Sequence, residues 1–426
     1  MVKSKVLIIG GGGREHALGW KLKQSPKVGE IYFAPGNAGT AQIGENVNIS
    51  ALDIEELVKF AEMNKIDLTV VGPDDALAKG IVDAFQEKDL MIFGPTRKAA
   101  QIEWSKAFSK DLMREVGVPT ARYEVFMEVE KARDYLKKQK MPIVIKASGL
   151  ALGKGVVIAK TLEEAENALE AIFVKKIFGE AGSEVVIEEF LTGEEVSIHV
   201  FSDGKTVSVF PSSRDHKQIF DGNQGPNTGG MGTIAPLPYV PNEKLEDIKE
   251  RIVLPIVEGM KKMGFDYTGI LYPGIMVTDA GEKVLEFNSR FGDPETQSYM
   301  RLLKTDLFDI MMACCTGGLE KIKIEWEKKF ACCIVLASVG YPGSYRKGDV
   351  IEGFESVNKD GDVVIFHAGT KSVGGKILTN GGRVLGVTAT GRTLGEALDK
   401  AYGAIGEAGI HFAGMQYRKD IGRGKN

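Results

Sequence analysis

The chain has 426 residues, of which 43% are apolar and 26% are charged, and its formal net charge is -4. This length exceeds what one compact core supports, so several domains are expected. The composition shows neither a basic excess nor a long block of like charge, which argues against a nucleic-acid partner. No segment approaches the roughly 20 apolar residues that span a bilayer, and the apolar start is too short for a signal peptide. We therefore expect a cytoplasmic protein without a membrane partner.

The four cysteines occur as two adjacent pairs, at positions 314–315 and 332–333. Adjacent cysteines lack the two-residue gap that is usual in zinc-binding and redox pairs. We expect them to be buried, reduced side chains in a reducing compartment.

The first hundred residues alternate strand-like and helical stretches, with strands predicted at residues 5–9, 30–33, 67–71 and 90–93. This alternation predicts a doubly wound parallel sheet with its ligand at the carboxyl ends of the strands. A glycine turn there precedes a helix, and free N–H groups at such a turn suit an anion. A nicotinamide site, and with it an oxidoreductase, is disfavoured, because Glu15 stands at the third glycine position and no acid follows the second strand.

The middle of the chain carries lysines and a second glycine-rich segment. Residues 104–116 read as one amphipathic helix that carries Lys106, and a strand ending near Lys146 leads into the glycine loop at residues 148–155. Such a loop can close its N–H groups over phosphates, although it does not match the Walker A spacing. By composition, residues 221–232 read as a loop or linker.

Glu286 and Asn288 lie two residues apart in an apolar run that reads as a strand. Alternate strand residues share a face, so these side chains present two oxygen ligands of the kind that Mg²⁺ prefers. A half-buried strand with a polar face is the alternative for this pair alone. Arg290, Asp293 and Glu295 follow in a loop whose charge density a simple strand end would not need.

These motifs, in this order, resemble the ATP-grasp superfamily. Further stretches narrow the resemblance to the glycinamide ribonucleotide synthetase family, and they lie at residues 12–18, 34–40, 215–217, 225–232, 290–295, 366–370 and 380–383. The resemblance implies a multidomain α/β and α+β fold. Its expected parts are an N-terminal doubly wound parallel sheet for the phosphoribosyl group at residues 1–103, an ATP-grasp domain at 104–330 with a small mobile lid at about 125–190, and a β-rich C-terminal domain at 331–426.

The resemblance also implies the reaction: glycine and 5-phosphoribosylamine would be joined at the expense of ATP, through a glycyl phosphate, in purine biosynthesis. Glu286 and Asn288 would bind Mg²⁺ (or Mn²⁺), and Arg290, Asp293 and Lys217 would be catalytic. The residues implied for ATP are Lys106, Lys146, Ser148, Gly149, Gly153, Lys154, Gly155, Glu188, Glu189, Phe190, Leu191 and Glu195.

The small-molecule substrates would contact the N-terminal loops and the segments around residues 215 and 293, in a protein expected to be a monomer. The residues implied for these substrates are Gly11, Gly12, Gly13, Arg14, Gly36, Asn37, Ala38, Gly39, Thr40, Gly72, Pro73, Asp74, Asp215, His216, Gly292, Pro294 and Glu295.

Two positions depart from the pattern of this family. Ser148 stands where the glycine loop would have aspartate, and Pro273-Gly274 stands where many members have a third acidic metal ligand. The alternatives to this assignment are another ATP-grasp ligase or carboxylase of purine metabolism, and a nucleotide-binding module without catalysis. The second of these would have no reason to keep Lys146, Glu286, Asn288 and Arg290 together.

Overall fold

A five-stranded parallel sheet forms the N-terminal end of the computed structural model, which describes residues 3–150, 155–357 and 361–423. Its strand order β3-β2-β1-β4-β5 reverses direction between β1 and β4, where α1 and α3 begin. The buried aliphatic runs of β1 and β4 suit a sheet covered on both faces. The strands are β1 (Ser4–Gly10), β2 (Val28–Pro35), β3 (Glu45–Asn46), β4 (Leu68–Val71) and β5 (Ile92–Phe93), and the helices are α1 (Gly13–Leu22), α2 (Ile54–Asn64), α3 (Asp74–Ala78), α4 (Ile81–Gln86) and α5 (Arg97–Trp104).

The predicted helix over residues 104–116 is present as α6 (Lys106–Glu115), and it begins two residues later than expected. The chain breaks at Ser105, whose backbone is extended, so that α5 ends at Trp104 and α6 (Lys106–Glu115) begins in a new direction. The Ser105 hydroxyl accepts the N–H of Phe108 and caps α6. This break places Glu103 and Lys106 on two helices that meet at the same wall.

A four-stranded antiparallel sheet of order β6-β9-β7-β8 comes next, and it encloses its own apolar core. All of its strands and helices come from one continuous stretch of chain. They are β6 (Tyr123–Phe126), α7 (Val129–Leu136), β7 (Ile143–Ala147), β8 (Val156–Ala159), α8 (Leu162–Leu169) and β9 (Val185–Glu189), with a π-helical turn at Glu170–Val174 and a 3-10 turn at Gly179–Gly182.

The central sheet is built on the long strand β17, which pairs with β10, β11 and β18. Residues 221–232, expected as a loop or linker, instead continue from one strand of a hairpin into the next and lead into β16. The strands along this part of the chain, not all of which belong to the central sheet, are β10 (Glu194–Ser197), β11 (Val200–Asp203), β12 (Val207–Val209), β13 (Arg214–Asp215), β14 (Gln218–Phe220), β15 (Gln224–Asn227), β16 (Gly232–Ala235), β17 (Thr268–Thr278) and β18 (Gly281–Asn288), and the helices are α9 (Asn242–Ile248) and α10 (Leu254–Lys262), joined by a π-helical turn.

The last sheet has the order β13-β16-β19-β23-β20, so two of its strands come from before residue 331. The division of the chain at 331 stays a prediction, and the sheet crosses it. The remaining elements are α11 (Glu295–Leu302), α12 (Leu307–Thr316), β19 (Phe330–Ala337), α13 (Phe354–Val357), β20 (Val363–His367), β21 (Thr370–Val373), β22 (Lys376–Thr379), β23 (Arg383–Gly391) and α14 (Leu394–Gly403), with a 3-10 turn at Leu319–Lys321.

The cysteines are free thiols, and three of the four are buried, as the sequence predicts. Burial raises the pKa of Cys332 to about 12, which keeps this thiol protonated. Among the helices in the described ranges, none combines the length and apolarity needed to cross a membrane.

Buried histidines should make the stability of this fold depend on pH. Burial lowers the pKa of His16 to about 3 and of His216 and His367 to about 4, from an ordinary value of 6.5. Between pH 6.5 and about 4 the unfolded chain therefore binds protons that the folded chain excludes. Stability falls as the pH falls through this window, by up to about 1.4 kcal/mol per pH unit for each histidine. Urea unfolding at pH 7 and pH 5 measures this loss.

The histidine interpretation has a matched pair of variants. His216→Gln removes one of these protons and should flatten the pH dependence by about one histidine's share. His411→Gln, at a histidine whose side chain is 32% exposed, is the comparison variant, and His216→Gln should show the flatter slope of the two. Equal slopes in all three proteins would contradict the interpretation.

Candidate active site

A cavity of about 490 Å³ lies between the four-stranded sheet, the strands β17 and β18, and the carboxyl edge of the N-terminal sheet. It brings together side chains that are up to about 370 residues apart in the sequence, from Arg14 to Arg383. The predicted site residues that line it are Arg14, Asp74, Lys106, Lys146, Gly155, Glu188, Glu189, Phe190, Leu191, Glu195, Asp215, Lys217, Glu286, Asn288, Arg290, Asp293 and Glu295.

Glu286 and Asn288 both face this cavity from the end of β18. Burial raises the pKa of Glu286, but Lys217, Lys146 and Lys106 more than offset this, so the net shift is downward and the carboxylate is ionised. The residue paired with Glu286 across the ladder is Gly274, which has no side chain to offer. No group of three or more His, Cys, Asp or Glu side chains in the described ranges is arranged to hold a metal ion. The Glu286 carboxylate and the Asn288 amide are oxygen donors of the kind that Mg²⁺ takes, and a cation held by these two would complete its shell with water and phosphate.

Two lysines converge on the carboxylate of Glu188. Lys146 pairs with one of its oxygens, and Lys110 Nζ lies 2.6 Å from the other. Burial lowers the pKa of Lys110 to about 8. Lys146 also donates to the carbonyl of Leu285 at 3.2 Å. Lys110 is absent from the sequence prediction, although its position four residues after Lys106 on α6 could have indicated it.

The base of the glycine loop is fixed to the start of α6. The Lys106 N–H donates to the Ser148 carbonyl at 3.0 Å, and the Ser148 hydroxyl accepts the Ala107 N–H at 3.1 Å. Lys106 Nζ donates to the Gly149 carbonyl at 3.3 Å. Ser148 stands where the family pattern has aspartate, and its hydroxyl thus accepts an N–H of the first helical turn. The predicted ATP-binding residues Gly153 and Lys154 lie outside the described residues.

Lys217 links the predicted ribose and metal residues. Its ammonium group pairs with Glu195 and lies 3.9 Å from Glu286. Burial disfavours the charge, but the two carboxylates raise the pKa of Lys217 above its ordinary value. Beside it, burial and then the charge of Glu295 raise the pKa of Asp215 well above its usual range. The Asp215 Oδ1 atom is buried and has no hydrogen-bond partner in the described part of the chain.

The loop after β18 is held by Arg383 from the C-terminal part of the chain and by Gln297 from α11. Arg383, the first residue of β23, donates to the Asp293 carboxylate at 3.0 Å and to the Asp293 carbonyl at 2.6 Å. Gln297 donates to the other Asp293 oxygen at 2.7 Å. Arg383 lines the cavity, although its motif at residues 380–383 indicated only the family resemblance and no role in the site.

Glu295 and the backbone of the same loop are fixed by buried side chains. Tyr272 donates its hydroxyl to Glu295 at 2.7 Å, and Ser197 donates to the same oxygen at 3.3 Å. His199 Nε2 accepts the Gly292 N–H at 3.1 Å. Because burial lowers the pKa of His199 well below its ordinary value, the neutral ring can act as this acceptor.

The N-terminal glycine turn, whose role as an anion site stays a prediction, has one N–H group bound by the chain itself. The Glu15 carboxylate accepts the Gly12 N–H at 2.6 Å, so this N–H is not available to a phosphate. A Cβ atom on Gly72 would lie 1.9 Å from Glu15, which shows how closely this side chain fills the space between β1 and β4. The same carboxylate accepts Arg14 Nε at 2.7 Å, and the Arg14 guanidinium reaches the cavity.

The loop of residues 36–40 does not line the cavity, and Asn37 fixes it by hydrogen bonds. The Asn37 amide donates to the carbonyls of Gly11 and His367, and its oxygen accepts the N–H groups of Gly39 and Thr40. His216 likewise turns away, because its ring contacts the Gly232 carbonyl and the Gly422 N–H. The described site residues that do not line the cavity are Gly11, Gly12, Gly13, Gly36, Asn37, Ala38, Gly39, Thr40, Gly72, Pro73, Ser148, Gly149, His216, Gly292 and Pro294.

The fold and the cavity together define an ATP-grasp protein. Comparison with protein families supports this class directly, because the ATP-grasp (A) domain of phosphoribosylglycinamide synthetase matches residues 104–296. The N domain of the same enzyme matches residues 4–103, and its C domain matches residues 331–424. The chain belongs to the phosphoribosylglycinamide synthetase family.

Full-length relatives agree with this membership. A phosphoribosylamine--glycine ligase of Pasteurella multocida is 51% identical over 420 residues, which covers 98% of this chain and 97% of the relative. The ligase of the same name from Caldanaerobacter subterraneus is 49% identical and covers 99% of this chain and 100% of the relative. The crystal structure of the Thermotoga maritima phosphoribosylamine--glycine ligase superposes with a TM-score of 0.85 at 36% identity, covering 98% of this chain and 99% of the other.

Proposed function

We propose that this chain is an ATP-dependent ligase that joins glycine to 5-phosphoribosylamine and yields glycinamide ribonucleotide, ADP and phosphate. The observation that carries the proposal is one cavity with two chemically different ends. One end, which suits a nucleoside triphosphate, has Lys106, Lys146, Glu286 and Asn288. The other end, which suits a small ammonium compound, has Asp215 and Glu295. The names of the full-length relatives agree with this activity.

The proposed reaction has two steps, which together account for every atom. A glycine carboxylate oxygen attacks the terminal phosphorus of ATP, and ADP leaves. The amine of the second substrate then attacks the carbonyl carbon of the glycyl phosphate, loses a proton, and expels inorganic phosphate. A free carboxylate is a poor electrophile, so the first step supplies the leaving group that the second step needs.

The cations of the cavity act on the charge of the transferred group. Lys106 and Lys146 would neutralise the phosphates in the ground state, and Arg290 would stabilise charge that develops on the moving phosphoryl group. The segment of residues 188–191 would hold adenine, and Glu195 the ribose hydroxyls. In this proposal the four-stranded sheet, within about residues 125–190, is the lid that excludes water from the acyl phosphate.

Glu286 and Asn288 would hold the divalent cation, which we propose to be Mg²⁺ with Mn²⁺ as a substitute. When bound, this cation would withdraw charge from the phosphates. Lys217 keeps Glu286 ionised at a distance of 3.9 Å and so maintains the acceptor that the cation needs.

The opposite end of the cavity would bind the two acceptor substrates. The buried, unpartnered Asp215 Oδ1 and the Glu295 carboxylate would receive the ammonium group of glycine. Arg14 and Arg383 are the cations at this end that could meet the phosphate of the ribosylamine. Because ATP and this sugar phosphate are cytoplasmic metabolites, the proposal includes a cytoplasmic location, and it includes a monomer because one chain supplies every residue named here.

The proposal predicts that ADP release depends on both acceptor substrates. With 5-phosphoribosylamine formed in place from ribose 5-phosphate and ammonia, ADP release should rise at least about 10-fold when glycine is added, since the first step needs its carboxylate. A coupled assay for ADP, with mass detection of glycinamide ribonucleotide, measures this. Bicarbonate in place of glycine is the control for the alternative, a carboxylase of the same fold. Turnover that ignores glycine but requires bicarbonate would contradict the proposed function.

A further inference from the structure

We propose that Glu103 is a positioning residue that orients Arg290 toward the transferred phosphoryl group. The inference rests on the proposed function for the role of Arg290, and it adds a residue outside the nucleotide motifs. Glu103 lies near the end of α5, which belongs to the N-terminal part of the chain, and its side chain lines the cavity wall beside Arg290.

The contacts of Glu103 are specific and use both oxygens. One oxygen lies 3.0 Å from a terminal nitrogen of Arg290. The other accepts the N–H and the hydroxyl of Ser289, each at 2.8 Å. The side chains are nearly buried, with 8% of Glu103 and 19% of Arg290 exposed. A carboxylate that binds both the arginine and the backbone next to it fixes the direction in which the guanidinium leaves the strand.

The other contacts of Arg290 are too weak to provide this orientation. Its guanidinium lies 3.3 Å from the Asn288 amide oxygen and 3.4 Å from its neighbouring carbonyl, that of Phe291. The Arg290 Nε atom is buried and has no hydrogen-bond partner in the described part of the chain. Without Glu103, the arginine would keep its charge but lose its strongest geometric restraint.

The charge of Glu103 also has a consequence for the ground state. A carboxylate beside Arg290 reduces the positive field that the arginine presents to ATP before reaction. In the transition state, the transferred phosphoryl group carries its charge at a different position from that in bound ATP. A guanidinium held at that position can stabilise this charge. Glu103 is therefore expected to act on the rate of the chemical step and to contribute little to nucleotide binding.

Glu103→Gln tests this expectation, with Glu282→Gln as the matched control. Glu282 is also a buried carboxylate paired with two cations, Lys244 and Arg251, but it lies outside the cavity lining. We expect Glu103→Gln to lower kcat about 10- to 100-fold, with the KM for ATP changed less than about 3-fold. We expect Glu282→Gln to leave kcat within about 3-fold of the unchanged protein.

A double-mutant cycle separates positioning from general damage. In an Arg290→Met background, Glu103→Gln should cost less than about 3-fold more, because the group that it orients is gone. An equal loss in both backgrounds would overturn the proposal, and so would a loss that appears in the KM for ATP instead of kcat.

A binding measurement keeps this inference distinct from the proposed function. Calorimetry with MgADP, and with MgADP plus aluminium fluoride as a phosphoryl-transfer analogue, needs neither acceptor substrate to be identified beforehand. Glu103→Gln should weaken the analogue complex at least about 10-fold more than the MgADP complex. Equal weakening of both complexes would refute the positioning role, whereas failure of the proposed function would show as turnover indifferent to glycine in the unchanged protein.

Discussion

Replacing Glu286 by glutamine is expected to lower the metal-dependent turnover of this chain at least about 100-fold, while the protein stays folded. Glutamine keeps the shape of the side chain and one neutral oxygen. It removes the negative charge that the cation needs, and it leaves Lys217 with Glu195 as its remaining close carboxylate partner. Rates of ADP release across a range of Mg²⁺ concentrations measure the effect, with circular dichroism as the check on folding.

The same strand provides the control for this prediction. Glu282→Gln alters a carboxylate of β18 that lies outside the cavity lining, and its dependence on Mg²⁺ should match that of the unchanged protein. If Glu286→Gln retained the full rate at the same Mg²⁺ concentration, Glu286 would have to be removed from the proposed cation site. A rate restored by high Mg²⁺ would instead support weakened binding at the same place.

Arg383→Met is expected to raise the KM for glycine or for the ribosylamine about 10- to 100-fold and to leave the KM for ATP within about 3-fold. Arg383 donates to the carboxylate and the carbonyl of Asp293 and to the carbonyl of Gly229, so its loss frees the loop that borders the acceptor end of the cavity. Steady-state kinetics with each substrate varied in turn measures the expected difference.

Arg346→Met is the comparison variant for Arg383. Arg346 also pairs with an aspartate, Asp349, in the C-terminal part of the chain, but 53% of its side chain is exposed and it does not line the cavity. It should therefore change each KM by less than about 2-fold. Equal increases for ATP and for both acceptors after Arg383→Met would indicate general disruption and would contradict the local role.

The residues proposed for the nucleotide end of the cavity could be predicted from the sequence because they occur in short motifs. Glu286 and Asn288 lie on one face of one strand, and Lys146 ends a strand that leads into the glycine loop. Local periodicity is enough to predict that such neighbours face the same way. The parallel N-terminal sheet was accessible for the same reason, since its strands are continuous apolar runs.

The residues that hold this site together were not accessible from local pattern. Glu103 and Ser289 are 186 positions apart, and Arg383 and Asp293 are 90 positions apart, so packing alone makes them neighbours. The contacts of the glycine turn were also beyond local pattern. Its backbone has the form of an anion site, but the chain's own Glu15 binds the Gly12 N–H, and composition cannot distinguish an internal carboxylate from a ligand.

The last sheet and the four-stranded sheet differ in how their strands are connected, and therefore in which hydrogen bonds a displacement would break. Strands β13 and β16 from the middle of the chain are hydrogen-bonded into a sheet whose other strands follow residue 329, so displacing either part would break a continuous ladder. The four-stranded sheet instead consists of one uninterrupted stretch, from β6 to β9, joined to the rest by two chain crossings. A hinge at those two crossings breaks no ladder within either sheet. In the proposed function, this connectivity would favour movement of the four-stranded sheet on the nucleotide side of the cavity over movement of the acceptor side.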